Sequence, residues 1–123
     1  MRSPFPFLVV LSVLALPGCS RREPAPPVVT GGDAKLGARL IEQYHCGACH
    51  AIPEIPAAQG RTGPTLEQFG RRSYIAGSIP NFPDTLTRWI VDPASMKPGT
   101  TMPSMGVSEP EARHMAAYLA TLR

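Results

Sequence analysis

At 123 residues the chain holds one domain at most, and its three cysteines are too few for a disulfide framework. Between Asp33 and Arg123 nine Lys and Arg face eight Asp and Glu, a net charge of +1. That balance gives no basis for a nucleic-acid partner.

Met1–Gly18 stands outside the domain. One arginine precedes the apolar run Phe5-Pro6-Phe7-Leu8-Val9-Val10-Leu11-Ser12-Val13-Leu14-Ala15-Leu16, which is too short for a membrane span and has the make-up of a secretory signal peptide. It ends in Leu16-Pro17-Gly18-Cys19, which resembles the lipobox of bacterial lipoproteins, although Pro17 stands where a small residue is usual. That resemblance implies cleavage before Cys19 and a lipid anchor at Cys19. An ordinary signal peptide with an unmodified cysteine is the other reading. Ser20 after the cysteine implies sorting to the outer membrane, and the export signal places the chain on the periplasmic side of a bacterial membrane. Residues 19–32 are Pro-rich and read as an extended tether.

The domain is expected over 33–123. Asp33 can cap a helix running to Tyr44, with Leu36, Leu40, Ile41 and Tyr44 on one stripe. Gly37 inside it marks either a close helix crossing or a tolerated surface glycine. The helix leads into Cys46-Gly47-Ala48-Cys49-His50. Two cysteines three apart, with a histidine after the second, read as a c-type haem attachment site. On one helical turn both thiols can reach the porphyrin vinyl groups, and the imidazole can reach the iron. A zinc site would need further ligands, and a thioredoxin-like pair would need a βαβ context. So short a domain also needs a staple, which a haem bonded at two cysteines supplies.

Ala51–Thr62 has no apolar period and reads as a loop. Thr65 can cap a short helix to Phe69 that Gly70 ends, and Arg71-Arg72 is either a carboxylate-binding pair or a solvated one. Ser73–Pro83 is irregular. Asp84 can cap a helix over Thr85–Asp92 with Pro93 as its stop. Pro98–Gly106 is a loop. Ser108 and Glu111 form a capping box for a last helix from Glu109 to about Leu122, with Ala112, Met115, Ala116, Leu119 and Leu122 at helical spacing. No strand is expected.

In order along the chain, Gly32-Asp33…Gly37, Cys46-Gly-Ala-Cys-His50, Gly63-Pro64-Thr-Leu66, Trp89-Ile90-Val-Asp92-Pro93, Pro98-Gly99-Thr100-Thr101-Met102-Pro103 and Ala117-Tyr118-Leu119 resemble a class I cytochrome c. The resemblance implies an all-α fold of three to five helices around one covalently bound haem c. It implies Cys46 and Cys49 as thioether donors and His50 as proximal iron ligand, oriented by the Pro64 carbonyl. It further implies Met102 as distal ligand, Arg71 facing a haem propionate, Trp89 over the haem near the methionine, and Gly37 with Tyr118 at the helix crossing. Met105 is an alternative to Met102 on the same loop. His45 should point away from the iron, and His114 lies off the apolar stripe. Arg72-Ser-Tyr74-Ile75-Ala76-Gly77-Ser-Ile79-Pro80-Asn81 through Trp89 looks like the cytochrome domain fused to subunit II of some haem–copper oxidases.

These residues imply a one-electron carrier rather than an enzyme. Redox partner proteins are expected, such as a haem–copper oxidase or a quinol-oxidising complex, with the membrane reached through Cys19. A haem-based ligand sensor or peroxidase-like enzyme is the alternative if the distal methionine leaves the iron. A structural metal module is the third reading.

Overall fold

The computed structural model describes residues 23–123; the signal-peptide and Cys19 readings lie outside them. Among the described residues four helices form: α1 (Ala34–Gln43), α2 (Pro83–Val91), α3 (Pro93–Met96) and α4 (Glu109–Thr121). The all-α expectation of three to five helices holds. Among the described residues no helix is long and apolar enough to cross a membrane.

The fold is built on the crossing of α1 and α4. Asp33 caps α1, its Oδ1 accepting the Leu36 N–H at 3.0 Å, and that bond holds its carboxyl below the usual range. The Asp33 N–H donates in turn to His114 Nδ1 on α4 at 2.9 Å. One turn on, the buried Gly37 lies against the backbone of α4. A Cβ there would sit 2.5 Å from the His114 carbonyl carbon and 3.0 Å from the Met115 nitrogen. The glycine therefore serves a close crossing, with the His114 and Met115 backbone nearest to it. Tyr118, buried on the same helix, donates its hydroxyl to the Pro53 carbonyl at 2.7 Å, tying α4 to the loop after the cysteines. At the other end of α1, Tyr44 donates to Glu111 at 3.0 Å. Glu111 also accepts the Ser108 N–H at 3.0 Å, completing its part of the capping box. Ser108 first, then Tyr44, hold the Glu111 carboxyl low.

Leu40 and Ile41 of α1 meet Ala112, Met115, Ala116 and Leu119 of α4 in the core, joined by Leu86, Trp89 and Ile90 of α2. Ala51–Thr62 is a loop, yet Ile52, Ile55 and Ala58 are buried, and an isolated bridge pairs Ala51 with Gln59. Three to four residues apart in a loop, these apolar positions match neither helical nor strand periodicity.

The middle of the chain departs from the sequence reading. No helix forms over Thr65–Phe69; a 3-10 turn covers Phe69–Arg71 with Gly70 inside it. The Gly70 N–H donates to the Leu122 carbonyl at 2.8 Å, so the end of α4 and not a local helix satisfies this backbone. A two-residue antiparallel hairpin, β1 (Tyr74–Ile75) with β2 (Ile79–Pro80), stands where no strand was expected. Asp84 does not cap α2. Phe82 is the N-cap and Pro83 the first helical residue, a position at which proline's missing N–H costs nothing. Pro93 stops α2, which ends at Val91 with Asp92 as its C-cap, and also begins α3, for which Asp92 is the N-cap.

The Gly37 crossing leaves no room for a side chain. Gly37→Ala should cost the holoprotein about 1–3 kcal/mol through overpacking, read from guanidinium unfolding. A loss under about 0.5 kcal/mol would mean the helices separate freely there.

Candidate functional site

The CxxCH segment is presented by a reversal at the end of α1. Tyr44 closes the helix with its N–H on the Leu40 carbonyl, and His45 takes a left-handed conformation (φ 54°) that turns the chain. His45 is exposed. Cys46–Ala48 forms a 3-10 turn, and the His50 N–H donates to the Cys46 carbonyl at 3.0 Å. This turn brings Cys46, Cys49 and His50 together. Gly47 and Gly60 permit it: a Cβ on Gly47 would lie 2.6 Å from Ala58, and one on Gly60 would lie 2.6 Å from the Ala48 carbonyl carbon. The Gly60 N–H donates to the Gly47 carbonyl at 2.9 Å, so the following loop folds back over the motif.

His50 is held from its far side. Its Nδ1 lies 2.6 Å from the Pro64 carbonyl oxygen. A carbonyl only accepts, so Nδ1 carries the proton and donates, leaving Nε2 with the lone pair a metal ion needs. Gly63 lies against the ring: a Cβ there would be 2.5 Å from His50 Cε1 and 2.7 Å from Nδ1. The Gly63 N–H also donates to the Cys49 carbonyl at 2.8 Å. Gly63 is a site residue whose role the sequence left unread; its only signal was the glycine directly before Pro64.

Met102 lies on the loop between α3 and α4. It is half-buried and packed against the core, whereas Met105 is 44% exposed. The loop is pinned rather than free. Ser104 donates its hydroxyl to the Val91 carbonyl at 3.0 Å, the Thr100 N–H donates to the Lys97 carbonyl, and Val107 is buried. Trp89 is buried in α2. Arg71 lies on the exposed side of the Phe69–Arg71 turn, and its Nε and Nη2 bond Glu23 Oε1 at 3.1 and 2.7 Å. Arg72 turns inward to the Thr65 and Glu67 carbonyls at 2.6 and 3.0 Å and stacks over Phe69.

The donor set fits a covalent haem c. Cys46 and Cys49 are both unpaired. Burial pushes the Cys46 thiol up, the opposite of the lowered thiol that disulfide exchange uses. The imidazole has one nitrogen committed to Pro64 and the other free to ligate. The two small residues between the cysteines keep the backbone low beside any bound ring.

An all-α domain that presents CxxCH with a backbone-oriented histidine is the frame of a haem-linked electron carrier. The cytochrome c family model matches residues 34–123, and the chain belongs to that family. It is similar to cytochrome c oxidase subunit 2 of Alkalihalophilus pseudofirmus, 36% identical over 91 residues, covering 73% of this chain and 26% of that one. The same-named subunit of Bacillus subtilis is 33% identical over 94 residues, covering 73% and 26%. Cytochrome c-type cyt cy of Rhodobacter capsulatus is 32% identical over 105 residues, covering 78% and 52%. The chain thus spans about a quarter of the length of the oxidase subunits it matches. Membership of the family makes the chain a haem-based electron carrier with one covalent haem c.

Thioether bonds survive acid–acetone extraction, so wild-type protein should keep its haem through that treatment. The double variant Cys46→Ala, Cys49→Ala should release it. Haem retained by the double variant would place the attachment elsewhere.

Proposed function

We propose that the chain carries single electrons in a bacterial respiratory chain on the exported side of the membrane. It is held there by a lipid at Cys19, and it passes electrons to a haem–copper oxidase or takes them from a quinol-oxidising complex. Its relation to proteins named as oxidase subunits supports the first partner. The observation that carries the reading is the contrast on the α3–α4 loop: Met102 packs against the core while Met105 faces outward. With His50, the chain then offers one nitrogen and one sulfur that would serve as the two iron ligands of a bound haem.

The bound haem supplies one reversible electron at its iron; the chain supplies the rest. Cys46 and Cys49 would hold the porphyrin edge. His50 would ligate through Nε2, with the Pro64 carbonyl fixing its tautomer and making the imidazole a stronger donor. Met102 would supply a soft thioether, which favours the reduced state and raises the potential. Arg71 would face a propionate. Its guanidinium has five N–H donors, so two bonds to Glu23 leave donors for a second carboxylate. Trp89, buried in α2, would lie over the bound ring near the methionine and keep water from that side. With His50 and Met102 both ligating, no iron position would be open to a substrate.

A closed carrier has a simple signature. The reduced protein should bind no carbon monoxide at neutral pH, and potentiometric titration should follow a single one-electron step. Tight carbon monoxide binding by the wild type would make the protein a ligand sensor instead.

A further inference from the structure

The β1–β2 hairpin, where no strand was expected, is fastened to the loop that carries the methionines. Its turn begins at Ala76, which takes the left-handed conformation (φ 49°), followed by Gly77 (φ 89°). Glycine adopts that region freely, whereas alanine stays there only where its surroundings hold it. Ile75, directly before the turn, is buried and seats β1 in the core. Lys97 Nζ donates to the Ala76 carbonyl at 2.7 Å. A Cβ on Gly77 would lie 3.9 Å from the same nitrogen, so the ammonium rests on the turn itself. Lys97 is fixed at its backbone too. It closes α3 with its N–H on the Pro93 carbonyl at 2.9 Å, and the Pro93 side chain is fully buried. The methionine loop begins at the next residue. The Lys97 carbonyl accepts the Thr100 N–H at 3.1 Å, and Thr100 Oγ1 accepts the Met102 N–H at 3.3 Å. One bonded path thus runs from the Ala76 carbonyl through Lys97 and Thr100 to the Met102 backbone.

We propose that Lys97 is a positioning residue for Met102: its ammonium fastens the methionine loop to the β1–β2 turn and so keeps the thioether in place as a ligand. The proposal rests on the reading of Met102 as distal ligand. After the methionine, the loop is held by Ser104 on the Val91 carbonyl. Before it, the chain passes through Pro98 and Gly99 (φ 82°), both exposed. A stretch that buries so little apolar surface opens easily unless hydrogen bonds hold it. Lys97 is itself exposed, so its bond competes with water, and the loss of one such bond shifts a local opening equilibrium about fivefold. A thioether is soft and therefore a poor donor to ferric iron, so the oxidised protein is where the loop lets go most often. An entering ligand counts those openings. A lysine that only stabilised the fold would shift the unfolding midpoint and leave the rate of ligand entry alone.

The probe is imidazole, mixed with the oxidised holoprotein in a stopped-flow at about pH 8, where imidazole is neutral. Lys97→Met keeps the length of the side chain and removes the donor. It should bind imidazole about fivefold faster than wild type. The Thr100 and Met102 amides should exchange faster by a similar factor, while those of α1 do not change. Lys97→Arg keeps a donor for the Ala76 carbonyl and should stay within about twofold of wild type. In Met102→Ala the iron is already open, so adding Lys97→Met should leave its rate unchanged. A wild-type imidazole rate in Lys97→Met would overturn the positioning role, whatever the amides do. Equal acceleration by Lys97→Arg and Lys97→Met would overturn the bond as its cause. Acceleration that persists in the Met102→Ala background would overturn it as well, making Lys97 a guard of the entry path and not of the methionine. Wild type that binds imidazole as fast as Met102→Ala would overturn the Met102 reading itself, a result distinct from the other three.

Discussion

Where Gly37 meets the His114 carbonyl, two helices approach more closely than any side chain would allow. The Asp33 and Tyr44 ends of α1 are bonded to His114 and Glu111 of α4, so the crossing is fixed in register as well as in distance. Because α1 runs directly into the cysteines, that register fixes where the CxxCH turn begins. Because the end of α4 receives the Gly70 N–H, it also fixes the turn that carries Arg71. The irregular half of the molecule hangs on this pair.

The functional side chains sit almost wholly on that irregular half. Cys46, Cys49, His50, Pro64 and Met102 lie in turns or loops, and among the proposed haem contacts Trp89 alone lies on a longer helix. Loops hold a ligand well only if their backbone is satisfied. Here Gly60 bonds Gly47, Gly63 bonds Cys49, Leu66 bonds Ala51, and Ser104 bonds Val91. An electron carrier gains from such a frame, since a site that hardly moves between redox states has little to reorganise.

Both long terminal helices were legible in the sequence because their signals are local: a cap at Asp33, a capping box at Ser108, and apolar residues at helical spacing. The CxxCH turn was legible because its chemistry lies within five residues. The middle was not. Thr65 and Gly70 resemble helix ends, but Gly70 is there to meet Leu122, more than fifty residues away. Pro83 reads as the edge of a loop although proline also starts helices, and Pro93 both stops α2 and starts α3, of which only the stop was legible. That Gly37 meets the His114 and Met115 backbone was not legible, since a stripe of small and apolar residues on α4 does not say which backbone atoms face the glycine. The buried Val29 was hidden by the prolines around it, since one apolar residue makes no period.

The central claim is that His50 and Met102 together close the iron. In the reduced, diamagnetic protein, an axial methionine holds its ε-methyl group over the porphyrin, where the ring current shields it strongly. Proton NMR of protein labelled at the methionine methyls reads this directly. One resonance should be shifted far upfield, vanish in Met102→Ala and persist in Met105→Ala. The absence of any such resonance in the wild type, or its loss in Met105→Ala alone, would contradict the account.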